Sequence, residues 1–350
     1  MRQVPVPGFL VTHLPDVRYL SGFTGSNAAL AVSRRGVALF TDGRYTTQAK
    51  AEVQAAQIEI VSGSPAVAAL LWLAAENGME SAGFETAHTT VAELGRLRIA
   101  LPARLRKKFL VELDASLVEP LRMIKDEEEL ARMREAALIG CQLFDKILGF
   151  LRPGLHEFEV AAELEYQARR AGAEGMSFET IVASGMRSAL PHGRATEARL
   201  PRKGFVTMDF GIIHKGYCSD MTRTVFLGTP SQMERETYQA VLEAQQAGVE
   251  AVASGVRCGT VDEAARGLLR SRGLAEVFSH ATGHGVGLEI HEPPRVGARQ
   301  AARLKAGMVI TIEPGVYLAG KFGIRIEDTV AVTATGCEVL TPAPKALIEL

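Results

Sequence analysis

Cysteine is scarce in this chain of 350 residues, and the four present, Cys141, Cys218, Cys258 and Cys337, show no paired spacing. That argues against a disulfide framework or a zinc ribbon and for a reducing compartment. An excess of one charge is lacking as well. The formal net charge is −1 and no block of like charges stands out, so bulk attraction to nucleic acid or to an anionic membrane is not expected. The densest basic cluster, Arg104, Arg106, Lys107 and Lys108, reads as a solvated surface turn. No apolar run reaches the roughly 18 residues of a membrane-spanning helix. No basic stretch followed by an apolar run opens the chain, so no signal peptide is expected and the cytoplasm is the expected location. Gly22 and Gly25 do not form a Gly-x-Gly-x-x-Gly loop, which removes the usual sign of a dinucleotide site.

What remains is an ordinary globular composition, 47% hydrophobic and 23% charged. The length predicts two domains. Residues 1–118 read as a smaller α/β domain. Its expected strands are Gly8–Thr12, Ala28–Val32, Gly36–Thr41 and Ser81–Glu85, and its helices Tyr45–Gln57 and Ala66–Asn77. Residues 119–350 read as an α+β domain with a mostly antiparallel sheet. Asp126 and Glu129 form a predicted capping box at the head of a helix reaching about Phe150. Further helices are expected over Glu157–Ala171, Ser231–Ala253 and Thr260–Arg272. Strands are expected over Gly204–Phe210, Gly216–Leu227, Met308–Ile312 and Gly323–Val332.

The chemistry concentrates in this second part. Asp209 ends the apolar run Phe205–Asp209, and Asp220 lies beyond a predicted turn at Ile212–Lys215. The two acids can therefore meet across a hairpin. A carboxylate on an apolar strand is costly unless paired or bound to metal, and a salt bridge to Arg223 is the ordinary alternative. His284 sits among Gly283, Gly285 and Gly287, a pattern that permits close approach of backbone to a ligand or metal. Glu313 ends the run Val309–Ile312, and Glu327 alternates with Ile324 and Ile326; for each, a surface salt bridge is the alternative. Together one histidine and four acids make an oxygen-rich ligand set that balances two divalent ions. Such a set suits Mn²⁺, with Co²⁺, Fe²⁺ or Zn²⁺ as alternatives. Asp209-Phe210-Gly211 is no kinase signature, since no Gly-rich loop or kinase catalytic loop accompanies it.

At these residues the chain resembles the Xaa-Pro peptidases, aminopeptidase P and prolidase, of the pita-bread metallopeptidase family. Five ligand positions match in order, and Val17-Arg18-Tyr19-Leu20-Ser21-Gly22-Phe23-Thr24-Gly25 resembles the family's creatinase-like N-terminal domain. The resemblance implies a pita-bread catalytic domain behind that smaller α/β domain. It implies that Asp209 binds one metal, His284 and Glu313 the other, and that Asp220 and Glu327 bridge them. Water made acidic between the cations would attack the scissile carbonyl, with Glu313 moving the proton. His192 and His291 match substrate-side histidines, the second of which holds or polarises the reacting amide. Arg325 matches a residue that orients neighbouring acids, and His280 one that supports the ligand loop. A homodimer and a peptide substrate with proline in second position are also implied. The first predicted strand begins about eight residues in, where relatives usually carry a helix, so either an abbreviated N-terminal domain or a true start further upstream is expected.

The leading expectation is an Xaa-Pro aminopeptidase, with an Xaa-Pro dipeptidase as the alternative. A dipeptidase needs a cation for the free carboxylate beside proline, for which Arg295 and Arg44 are candidates. The extra N-terminal domain argues against a methionine aminopeptidase. Five intact ligand positions argue against a metal-free creatinase-like hydrolase and against a non-catalytic binding module on the same fold.

Overall fold

The structure, a computed structural model, describes residues 6–350. The chain divides into two compact units, one ending at Arg122 and one running from Met123 to Leu350. The expectation about the segment before the first strand falls largely on residues 1–5, outside the described residues.

The first unit contains β1 (Gly8–Val11), α1 (Leu14–Ser21), β2 (Ala28–Ser33), β3 (Gly36–Asp42), α2 (Thr46–Glu52), β4 (Gln57–Val61), α3 (Pro65–Ala75), β5 (Ala82–Glu85), α4 (Val91–Ala100), β6 (Leu110–Leu113) and α5 (Glu119–Arg122). The strands form one sheet in the order β4-β3-β2-β1-β5-β6. β1, β2 and β3 run antiparallel, β1 reaching β2 by way of α1 and β2 reaching β3 through a short turn. The β3–β4, β1–β5 and β5–β6 pairs are parallel, and helices make those longer crossovers. Alternation along the strands builds two cores. Leu10, Ala29, Ala31 and Phe84 share one face and cluster with Leu70 and Leu73 of α3, while Phe9, Val11, Leu30 and Leu39 share the other and cluster with Val17 of α1. The expected helix over Tyr45–Gln57 is corrected: it stops at Glu52, and Gln57 opens β4, whose Gln-Ile-Glu-Ile-Val alternation is a strand pattern. α1, α4 and β6 are further elements that the sequence reading did not place. Residues 119–125 read from sequence as a connector opening the second domain; their first four residues form α5, which belongs to the first unit, where Arg122 pairs with the buried Asp16 at 2.8 Å.

The second unit opens with α6 (Glu127–Leu148) and α7 (Glu157–Arg170). The capping box forms as expected: Glu129 N donates to Asp126, and Asp126 N to the Glu129 carboxylate, both at 2.9 Å. Strands β7 (Gly175–Met176), β8 (Ile181–Ser184), β9 (Gly204–Phe210), β10 (Ile212–His214), β11 (Tyr217–Cys218) and β12 (Met221–Leu227) follow. Then come α8 (Gln232–Glu250), α9 (Cys258–Ser271), β13 (Gly283–Gly285), β14 (Glu292–Val296), β15 (Val309–Ile312), β16 (Gly315–Leu318), β17 (Phe322–Arg325), β18 (Asp328–Val332) and β19 (Cys337–Val339). The sheets that frame the site are β12-β9-β8, β14-β13-β15-β18-β19 and the ribbon β16-β17, and all their pairings are antiparallel. Two expected strands are broken. Gly216–Leu227 is interrupted at Ser219–Asp220, and Gly323–Val332 at Ile326–Glu327. Both breaks fall on candidate ligands, Asp220 and Glu327.

Candidate metal centre

The site grows from the hairpin that carries the two aspartates. β9 and β12 run antiparallel with Asp209 opposite Thr222, and Asp220 stands just before β12 begins. The tight turn is Lys215–Gly216, both at positive φ, while Ile212–His214, expected in the turn, forms β10. The expected alternative partner fails. Arg223 is 1% exposed and pairs with Asp328 at 2.8 Å instead. Asp209 is met by Arg325, whose Nη2 donates to its Oδ2 at 2.6 Å. The other oxygen of Asp209, Oδ1, is buried with no hydrogen-bond partner among the described residues.

Glu327, at the break between β17 and β18, accepts from Thr222 Oγ1 at 2.7 Å. Thr222 in turn accepts from Arg325 Nε at 3.1 Å. Glu313 follows β15, and its carboxylate accepts from Thr311 Oγ1 at 3.4 Å. The backbone N–H of His284 also donates to Thr311 Oγ1, at 3.0 Å. His284 Nε2 lies 3.5 Å from Asp220 Oδ2 and 3.6 Å from Glu313 Oε1. Ligand atoms of Asp220, His284 and Glu327 lie within 4.8 Å of one another.

The glycines around His284 permit a close approach of backbone to neighbouring strands. A Cβ on Gly283 would meet Thr311 O at 1.8 Å, and one on Gly285 would meet Pro293 O at 2.3 Å. They let neighbouring strands close on β13, which fixes His284.

The electrostatics are those of a site short of positive charge. Asp220 and Glu327 are 4% and 2% exposed, and neither sits in the surface salt bridge that was the alternative for a lone acid. Burial first, then the neighbouring carboxylates, push Asp220 and Glu327 well above the usual carboxylate range. Burial pushes Glu313 up to about 7, opposed by Arg325 and reinforced by Asp209. Burial lowers His284 to about 4, so its imidazole is neutral at pH 7 with a lone pair to offer. Four acids facing one guanidinium, with an orphaned oxygen on Asp209, are a donor set that divalent cations fit.

A cavity of about 900 Å³ opens onto these residues. His192 and His291 line it, both exposed, and the His291 ring packs edge-on against His284 with centroids 4.4 Å apart. Phe178, Ile181 and Ile290 supply apolar wall. His280 is held by Tyr317, whose Oη lies 2.9 Å from its Nε2, and burial lowers it to about 4. Tyr317 Oη also accepts from Arg325 Nη1 at 2.7 Å, so His280, Tyr317, Arg325 and Asp209 form one chain. Tyr317, Thr222 and Thr311 are the residues that sequence reasoning missed. Thr222 could have been found two positions beyond Asp220, at the start of β12; nothing in its segment marks Tyr317.

Comparison with known proteins agrees with this architecture. Residues 131–334 match metallopeptidase family M24, and residues 1–124 match the creatinase/prolidase N-terminal domain. An Xaa-Pro dipeptidase of Pyrococcus furiosus is 43% identical over 232 residues, 66% of this chain and 67% of that protein. An Xaa-Pro dipeptidase structure from Bacillus anthracis superposes with a TM-score of 0.94 at 40% identity, covering 99% of this chain and 95% of that one. An X-Pro aminopeptidase structure from Thermotoga maritima gives 0.91 at 36% identity, covering 100% and 99%. With an antiparallel α+β second unit, a creatinase-like first unit and a buried acid-rich centre, the chain belongs to metallopeptidase family M24, as a pita-bread Xaa-Pro peptidase.

Proposed function

We propose that the protein is an Xaa-Pro dipeptidase, which reverses the order of preference drawn from sequence. Arg295 carries the reading. It lines the same cavity as His192 and His291, and among the described residues it has no carboxylate partner. The other arginines of that wall are engaged, Arg194 by Glu179 at 2.9 Å and Arg325 by Asp209. Arg44, the second candidate, is committed to Asp42. A free guanidinium matches the carboxylate that only a dipeptide presents next to its proline. The dipeptidase names of the Pyrococcus and Bacillus relatives support the same choice.

Asp209, Asp220, His284, Glu313 and Glu327 would hold two divalent cations, Mn²⁺ by the hardness of the set. Asp209 would serve one ion, His284 and Glu313 the other, with Asp220 and Glu327 shared. When bound, the cations would polarise the scissile carbonyl and acidify water. The chain's own groups do the rest. Glu313 holds and returns a proton beside the reacting bond. His192 and His291 orient the peptide from the cavity side. Arg325 fixes Asp209, and His280 steadies Arg325 through Tyr317. The catalytic domain of this reading is the second unit, which begins at Met123. Four free cysteines support a cytoplasmic location, and the family resemblance supports a homodimer.

The experiment is a comparison of Xaa-Pro with Xaa-Pro-Xaa peptides, before and after Arg295→Ala. Dipeptides should be cleaved faster, and the substitution should raise KM for them by roughly 10- to 100-fold, the worth of a lost charge-assisted hydrogen bond. A tripeptide should be far less affected. Efficient tripeptide cleavage that ignores Arg295 would restore the aminopeptidase. That second reading is favoured by the cavity volume, which exceeds what a dipeptide fills.

A further inference from the structure

We propose that the first unit carries a metal site of its own, a single late first-row divalent cation of the Zn²⁺ type held by His13, Asp16 and His88, with Glu85 beside them. β1 and β5 are adjacent parallel strands. His13 follows the end of β1 as the residue capping α1, Asp16 lies in the first turn of α1, and His88 follows the end of β5. The residues thus meet beyond the carboxyl ends of neighbouring parallel strands, where open α/β sheets place their ligands.

One ligand atom from each of His13, Asp16 and His88 lies within 4.8 Å of the others. The two imidazoles are stacked, with centroids 3.7 Å apart, and His13 Nδ1 lies 3.1 Å from Asp16 Oδ2. Nε2 of His88 is buried and has no hydrogen-bond partner among the described residues. The nearest carboxylate oxygen, Glu85 Oε2, stands 3.9 Å away, beyond a hydrogen bond. An orphaned imidazole nitrogen in a buried polar cluster needs a proton acceptor, a donor or a metal.

Charge points to the metal. Asp16 is 0% exposed and Glu85 7%. Burial pushes Asp16 up, but its bonds to His13 and Arg122 outweigh that and keep it ionised at neutral pH. Glu119 is close enough to feel Asp16 and Glu85, and burial with their charges raises it. Against these acids stands the guanidinium of Arg122 on Asp16 Oδ1. A cavity of about 10 Å³ lies between the histidines, Asp16, Glu85 and the end of β1, sized for one water-sized or ion-sized occupant. Two imidazoles and one carboxylate favour Zn²⁺ over Mn²⁺ or Mg²⁺, the opposite preference to a set of four acids and one histidine. A cation there would tie the β1–α1 corner to the turn after β5, a structural role independent of the peptidase reading.

The test removes the other centre first. A full-length Asp220→Ala/Glu327→Ala chain, stripped with chelator, is given Zn²⁺ or Mn²⁺, gel-filtered and counted by inductively coupled plasma mass spectrometry. The expected content is about one Zn²⁺ and no Mn²⁺ per chain, falling to none when His88→Ala is added. His13→Gln should also abolish it and provides a second route if His88→Ala does not fold, as judged by circular dichroism. If the doubly substituted chain itself misfolds, the wild-type chain is saturated with Mn²⁺ and titrated with Zn²⁺, and His88→Gln should cost one equivalent. Zn²⁺ content unchanged by the histidine substitutions, or no Zn²⁺ retained by a folded chain with both histidines, would overturn the proposal.

Discussion

Asp209 and Asp220 each read, singly, as an ordinary salt-bridged acid; what decides between that and a ligand role is which arginine is in reach. Arg223 is drawn away to Asp328 and to backbone carbonyls, including that of Glu327. Arg325 is left as the cation on Asp209, and its own direction is set by Tyr317, Thr222 and the Pro191 carbonyl. Tyr317→Phe keeps the ring and deletes one hydroxyl that serves both His280 and Arg325. A hydrogen bond to a charged group is worth about 1.5–3 kcal/mol. The variant should therefore lose roughly 10- to 100-fold in kcat, with KM and metal content nearly unchanged. Steady-state kinetics with metal analysis checks this, and loss of metal in step with activity would show that Tyr317 supports the ligand set itself. The acids of this network are legible in sequence because they interrupt apolar runs. Tyr317 is not, because its role exists only where the ribbon β16–β17 folds over His280.

At the scale of elements, the proposed ligands depend on how closely strands approach. β13 lies between β14 and β15, and Gly283 brings its backbone against Thr311 on β15. Gly283→Ala would place a methyl 1.8 Å from the Thr311 carbonyl oxygen, so the strands must part. That belongs with severe backbone clashes, about 3 kcal/mol or more. His284 would move with its strand. The expected outcome is a lower Tm and a weaker affinity for Mn²⁺ than wild type, read by thermal unfolding and by metal titration. An unchanged Tm would mean the strand absorbs the methyl. The glycine run was visible in sequence, but its reason was not, since the atoms it must avoid lie on strands distant in the chain. The same limit explains the strand breaks at Asp220 and Glu327. Hydropathy reads Gly216–Leu227 and Gly323–Val332 as continuous, whereas tertiary pairing, such as Glu327 N donating to Thr222 O at 3.2 Å, interrupts them. Capping of α6 needed no such context and came out as expected, because Asp126 and Glu129 satisfy each other within one turn.

For the whole molecule, one prediction follows from the family resemblance and one from the centre. The proposed homodimer predicts twice the monomer mass of 37.6 kDa by light scattering at working concentration, and a monomer mass would refute it. The exposed Val91 and Ile99 of α4 are the first residues to mutate if a dimer is found. Stability offers a sharper prediction, because the acids of the centre are raised in the folded state. A carboxyl whose folded pKa exceeds its unfolded value, about 4, binds more protons folded than unfolded between the two. It contributes stability that is fully present below about pH 4 and is lost as pH rises through the folded value. Asp220 and Glu327 are raised well above their ordinary range, and Glu313 to about 7. Metal-stripped protein should therefore lose Tm steadily between about pH 5 and 8 relative to an Asp220→Asn/Glu327→Gln chain, which carries two fewer repelling charges. Adding Mn²⁺ should reverse the slope for the wild-type chain alone, since cations bind the ionised acids and bind them better as pH rises. Parallel Tm-versus-pH curves for the two stripped chains would mean that the acids do not repel one another in the folded protein. The charge argument for two cations at this centre would then fall.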